Sequence, residues 1–226
     1  MVPIKGEIDT TDVSVRRLFP TSKVKEWLPY KLFGETIATS RKRPGAHSHA
    51  AEEVVTYVLE GYVDYVGSQG PQVSLHAGCV LTLTASATTS HELAMRKGRT
   101  ARWIGITLPI TLTREGEPPV VQTSEVSRPE ASPDGSISVP VIGTGGPVRL
   151  KSGLNLADVA FVEEGTAFVR AGADRRTIVY SISGSGSVDQ QHVHAGNGVL
   201  LDGVGAIALQ GLPGFRVIVA SAPVRS

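Results

Sequence analysis

The chain has 226 residues, 41% hydrophobic and 19% charged, and its 22 basic and 21 acidic side chains leave a formal net charge of +1. Such a near-neutral balance offers no basic field for direct nucleic-acid binding and no acidic tail. No apolar run reaches the length of a membrane-spanning helix and the first residues carry no signal-type apolar core, so the expectation is a cytoplasmic protein with no membrane partner.

The N-terminal segment offers little periodicity beyond one short helix at 22–28. Strand signals then dominate, as runs rich in Val, Ile, Thr and Tyr set off by turn residues. They fall at 53–60, 62–66, 73–75, 80–84 and 103–108, with a turn at Gly67-Ser68-Gln69-Gly70-Pro71. The single cysteine, Cys79, has no partner for a disulfide and no basic neighbour to activate it, so it reads as a buried structural thiol. Residues 115–119 and the stretch from Ser127 to Gly135 are rich in Pro and Gly, which remove ladder donors and favour turns. A domain boundary is therefore expected near 130, dividing the chain into 1–130 and 131–226. Further strands follow at 157–162, 177–183, 199–201 and 216–220. The 25 glycines and 14 prolines suit a turn-rich, all-β sandwich or barrel.

The two halves repeat. Tyr57-Val58-Leu59-Glu60-Gly61 finds a counterpart in Tyr180-Ser181-Ile182-Ser183-Gly184, and His76-Ala77-Gly78 in His194-Ala195-Gly196. Two copies of one β-unit are the economical interpretation.

His47-Ser48-His49 is the main chemical signal. On a strand, residues two apart share a face with Cα atoms roughly 7 Å apart. Two imidazoles so placed can bind one ion, and His91 from a later strand can close the site. Taken alone, His-x-His reads first as a histidine-bearing loop with no ligand; the surrounding strand frame is what points to an ion. Counting along the repeat, the second half has Arg170, Gly172 and Leu209 at the matching positions, so it keeps the strands and lacks the ligands. His76 and His194 then read as turn or strand-edge residues, and the pair His192 and His194 as chance spacing.

The segment Gly45-Ala46-His47-Ser48-His49-Ala50-Ala51-Glu52-Glu53-Val54-Val55-Thr56-Tyr57-Val58-Leu59-Glu60-Gly61 resembles the pirin family, whose pattern is His-Pro-His-Arg-Gly-Phe-Glu-Thr-Val-Thr-Tyr-Val-Leu-Glu-Gly. The similarity runs on through Ala77-Gly78, His91 and Leu108-Pro109, and weakens in the second half. It implies a bicupin: two tandem double-stranded β-helix (jelly-roll) domains with one metal ion in the first, Fe(II) favoured and Ni, Zn, Cu or Mn compatible with imidazole ligands. By position the ligands are His47, His49 and His91. The pattern's fourth ligand, a Glu two residues after the third His, is Leu93 here. Glu53 and Glu92 are the carboxylates left to serve as base or ligand, although Glu92 should face away from His91 on a strand. The resemblance implies a quercetin 2,3-dioxygenase-like oxidation of a small flavonol-like or enolic substrate. The other reading is a non-enzymatic cupin that binds a small molecule or a protein partner with little or no metal. Loss of any ion should leave the core standing, and acid should release it as the histidines protonate.

Overall fold

The computed structural model describes residues 1–9, 14–39, 45–68, 72–95, 99–111 and 117–224. Parts of the expected turn (69–71) and crossover (115 and 116) lie outside them. Among the described residues there are twenty strands and no helix. They are β1 (Val2–Lys5), β2 (Glu7–Asp9), β3 (Ser14–Phe19), β4 (Leu32–Thr39), β5 (His47–His49), β6 (Glu52–Gly67), β7 (Val73–His76), β8 (Cys79–Ala85), β9 (Thr89–Ala94) and β10 (Thr100–Pro109). There follow β11 (Val120–Glu125), β12 (Ser136–Ile142), β13 (Asn155–Phe161), β14 (Gly165–Arg170), β15 (Arg175–Ser183), β16 (Ser185–Val188), β17 (Gln191–His194), β18 (Asn197–Asp202), β19 (Ala206–Gly211) and β20 (Arg216–Pro223). The short helix expected at 22–28 does not form. Thr21 and Val24 close a turn there, and Leu28 precedes Pro29, which disfavours helical backbone.

The chain divides into two compact units, Glu7–Glu125 and Met1–Gly6 with Val126–Ser226. The first strand belongs to the second unit because β1 pairs with β18. In the first unit one layer runs β11-β8-β6-β10-β4-β3-β2, while β7 and β9 pair with the far half of β6, and β5 with β9. The second unit has the layers β1-β18-β15-β20-β13-β12 and β14-β19-β16-β17. This is a cupin, a double-stranded β-helix, made twice.

Strand β6 shows how one segment serves both layers. The sequence suggested two strands with a break at Gly61; the structure has one, bent there. Gly61 takes φ of 76°, and a Cβ at this position would stand 2.1 Å from the Thr100 carbonyl oxygen, so only glycine fits. Before the bend, Val54 to Leu59 are buried on both faces; beyond it the strand turns to β7 and β9.

The repeat extends to individual hydrogen bonds. Gly61 and Gly184 both have positive φ and both accept from the turn alanine, Ala77 at 3.1 Å and Ala195 at 3.2 Å. Gly78 donates to Val58 as Gly196 does to Ser181. A buried ion pair recurs as well: Arg102 Nε to Glu35 at 2.7 Å, and Arg216 Nε to Asp158 at 2.8 Å.

Strand register gives the matches to the three histidines more reliably than counting. Tyr65 pairs with Leu93, and its counterpart Val188 pairs with Leu209, so Leu209 matches Leu93 rather than His91. The true counterpart of His91 is Ile207, which pairs with Val169 as His91 pairs with His47. The matching triad is therefore Val169, Ala171 and Ile207 in place of Arg170, Gly172 and Leu209. Loop lengths differ between the halves, and a one-residue slip reverses the face. Ala171 and Ile207 belong to the apolar core of the second unit, and Val169 packs against it.

Candidate metal centre

Strand β5 is only three residues long, and its pairing with β9 builds the site. His47 lies directly opposite His91, and Ser48 opposite Ser90, where the two hydroxyls lie 2.6 Å apart. His49, two residues on from His47, shares its face. Ring centroids lie 5.0 Å apart for His47 and His49, 4.4 Å for His47 and His91, and 5.2 Å for His49 and His91. One nitrogen from each ring falls within 4.8 Å of the others. The structure thus brings together the three histidines named from the sequence.

Their protonation follows from their partners. His47 Nδ1 lies 3.1 Å from the Gly45 carbonyl oxygen, which can only accept, so Nδ1 is the donor nitrogen and Nε2 the one left to face an ion. His49 Nδ1 donates to Glu52 Oε2 at 2.7 Å, again leaving Nε2 as acceptor. Glu52 also accepts from Lys31 Nζ at 2.7 Å. Burial would raise the Glu52 carboxyl, but the hydrogen bonds from Lys31 and His49 outweigh it and hold it below the usual carboxylate range. His91 is 2% exposed, and burial, with the charge His47 and His49 would add, drops its pKa to about 3. It is a neutral imidazole at physiological pH.

His49 Nε2 and both ring nitrogens of His91 are buried without a hydrogen-bond partner, as is the hydroxyl of Tyr65, whose ring lies 5.2 Å from that of His91. Buried polar atoms without partners cost roughly 1–3 kcal/mol each. Three imidazoles whose ring nitrogens converge, two of them with buried and unpartnered nitrogens, are what a divalent cation relieves, so the donor set fits one metal ion.

The carboxylates singled out from sequence lie elsewhere. Glu53 is fully buried in β6 on the face opposite Glu52, alternation placing the two on opposite sides. Glu92 alternates away from His91 and Leu93 and pairs with Val66. Neither lines the cavity beside the histidines. Leu93 does, so an apolar side chain faces the centre where the pirin pattern has glutamate. Sequence reasoning missed Glu52. It reaches back to His49 because Ala51 takes left-handed φ of 54°, and the only signal was that the resembled pattern has glycine at that position.

The cavity has a volume of about 350 Å³ and is lined by the three histidines, by Leu93 and Trp103, and by residues of β3, β4, β6 and β10. His192 and His194 lie on β17 of the second unit, both exposed; no third ligand joins them among the described residues. Cys79 is buried in the first core.

Fold and site together define a bicupin whose three-histidine cluster, among the described residues, lies in the first cupin alone. A model of the pirin family matches residues 15–105, which span the cluster. The segment that carries the cluster is thus similar to the pirin family. Solved structures of similar fold include GK1651 from Geobacillus kaustophilus, at 17% identity over 100% of this chain and 96% of that one, with a TM-score of 0.86. The bacterial pirin YhhW of Escherichia coli, in complex with nickel(II), superposes at 0.79 with 16% identity over 98% and 96%. A quercetin 2,3-dioxygenase of Acinetobacter baumannii gives 0.85 with 17% identity over 98% and 78%. No curated protein matches the chain. No helix among the described residues is long and apolar enough to cross a membrane.

Proposed function

We propose that His47, His49 and His91 hold one divalent metal ion, and that the first cupin is a quercetin 2,3-dioxygenase-like oxygenase acting on a small flavonol-like or enolic substrate. The observation that carries the metal reading is the set of buried, unpartnered imidazole nitrogens. When bound, the ion supplies Lewis acidity and a template for substrate oxygen. Three imidazoles do not select among iron, nickel, zinc, copper and manganese; the family favours Fe(II).

This chain's own residues have distinct parts in the proposal. Glu52 and the Gly45 carbonyl fix the imidazole tautomers so that Nε2 faces inward. Leu93 and Trp103 line the cavity and limit water there. Glu53 and Glu92 have no part in the reaction proposed. Aerobic turnover of quercetin by metal-loaded protein tests the reading, with His91→Ala as control. Turnover that disappears in the variant is expected.

Leu93 favours one alternative, a binding module without turnover, since it removes the fourth ligand of the family pattern. Stoichiometric metal with no oxidation of any flavonol would support that alternative.

A further inference from the structure

The inner face of the first cupin holds a row of cross-strand neighbours running from β3 to β6. Arg17 pairs with Gly34, Gly34 with Gly105, and Gly105 with Thr56. All four line the same cavity as the three histidines. Two adjacent glycines leave bare backbone between a guanidinium and a hydroxyl. A Cβ on Gly34 would stand 3.4 Å from the Arg17 Cγ, so the arginine stem lies over that glycine.

Arg17 has no counter-charge there. Its Nε is buried without a hydrogen-bond partner, and no described residue pairs with the guanidinium. Nearby carboxylates are engaged elsewhere: Glu7, opposite on β2, accepts from the Ser22 backbone and hydroxyl, and Glu35 faces away to bind Arg102. Glu52 is held by Lys31 and His49. A guanidinium half-removed from water is costly without an anion.

The second cupin is an internal control. Its matching row is Pro140, Ala157, Val219 and Val179, joined by the same register. Every member is apolar, and Ala157, Val179 and Val219 pack in the core that also fills the place of the histidines. The half that lacks the triad therefore lacks the arginine, the glycine floor and the hydroxyl as well.

We propose that the first cupin recognises an anionic ligand, a small planar carboxylate. Its carboxylate pairs with Arg17 in a two-pronged bond, its flat body lies over Gly34 and Gly105, and its other polar end turns toward the histidines. Arg17 is the specificity-determining residue for the negative charge. Only the last part, the reach toward the histidines, rests on the metal reading; the charge recognition stands without it.

The test uses metal-free protein, so that failure of the metal reading, measured separately by metal titration, cannot mimic failure here. Benzoate and its neutral isostere benzamide are titrated calorimetrically. Benzoate should bind at least about tenfold more tightly, the worth of one charge-assisted bidentate pair. Arg17→Gln should erase the preference and Arg17→Lys should keep part of it, with melting curves showing that both variants fold. Equal binding of benzoate and benzamide, no binding of benzoate, or an unchanged preference in Arg17→Gln would overturn the proposal.

Discussion

At the scale of single residues, the carboxylate that matters is bonded to His49 rather than facing the centre. The pattern the sequence resembles has glutamate at position 93 and phenylalanine at 52; this chain has Leu93 and Glu52. Removing a partner that orients a ligand typically costs 10–100-fold in metal affinity, so Glu52→Gln should weaken metal binding by about that factor with an unchanged fold, read by competition with a chelator. Leu93→Glu should do the opposite and tighten binding, since it adds an anionic donor at a position lining the site. Ala51 in left-handed backbone costs about 1–2 kcal/mol relative to glycine. Ala51→Gly should therefore raise stability by about 1 kcal/mol in denaturant titration, and a loss would show that the turn is not strained. The histidines were legible because a strand's period of two puts His47 and His49 together whatever the rest of the fold does. Glu52 and Arg17 were not, since one depends on the φ of a single alanine and the other on register across four strands.

At the scale of elements, β6 is where sequence and structure part most usefully. Turn chemistry at Gly61 was visible, but it marks a bend within one strand rather than a break, because β10 continues the ladder across it by a register shift between Arg102 and Trp103. Gly61→Ala would drive a methyl into the Thr100 carbonyl and should destabilise the protein by more than about 2 kcal/mol. Gly78, with φ of 89° but open space around its Cβ position, should cost less when substituted, and the comparison separates clash from backbone strain. Strands left unnamed in the sequence include β11 and β14, six residues each with a single buried residue between them. Their pairing is set by long-range partners that local pattern does not contain. For the same reason the counted matches Arg170, Gly172 and Leu209 gave way to Val169, Ala171 and Ile207.

At the scale of the whole molecule, each unit has an apolar core of paired β faces that contains none of the three histidines, so a chelator should strip metal without unfolding the chain, and circular dichroism should be unchanged. Acid should act differently on the apo-protein. The unfolded His91 takes a proton near 6.5 and the folded one only near 3. Between those values the unfolded state binds more protons, so stability is full above about pH 6.5 and falls as pH is lowered toward 3. His91→Ala should flatten that part of the profile. Metal-loaded protein should lose its ion in the same direction, since protons compete for the imidazoles. The most direct measurement of the centre is elemental analysis of wild-type protein and His91→Ala after metal loading and desalting. Close to one ion per chain in the wild type and almost none in the folded variant is the expected result; equal metal in both, or none in either, would contradict a centre built on His47, His49 and His91.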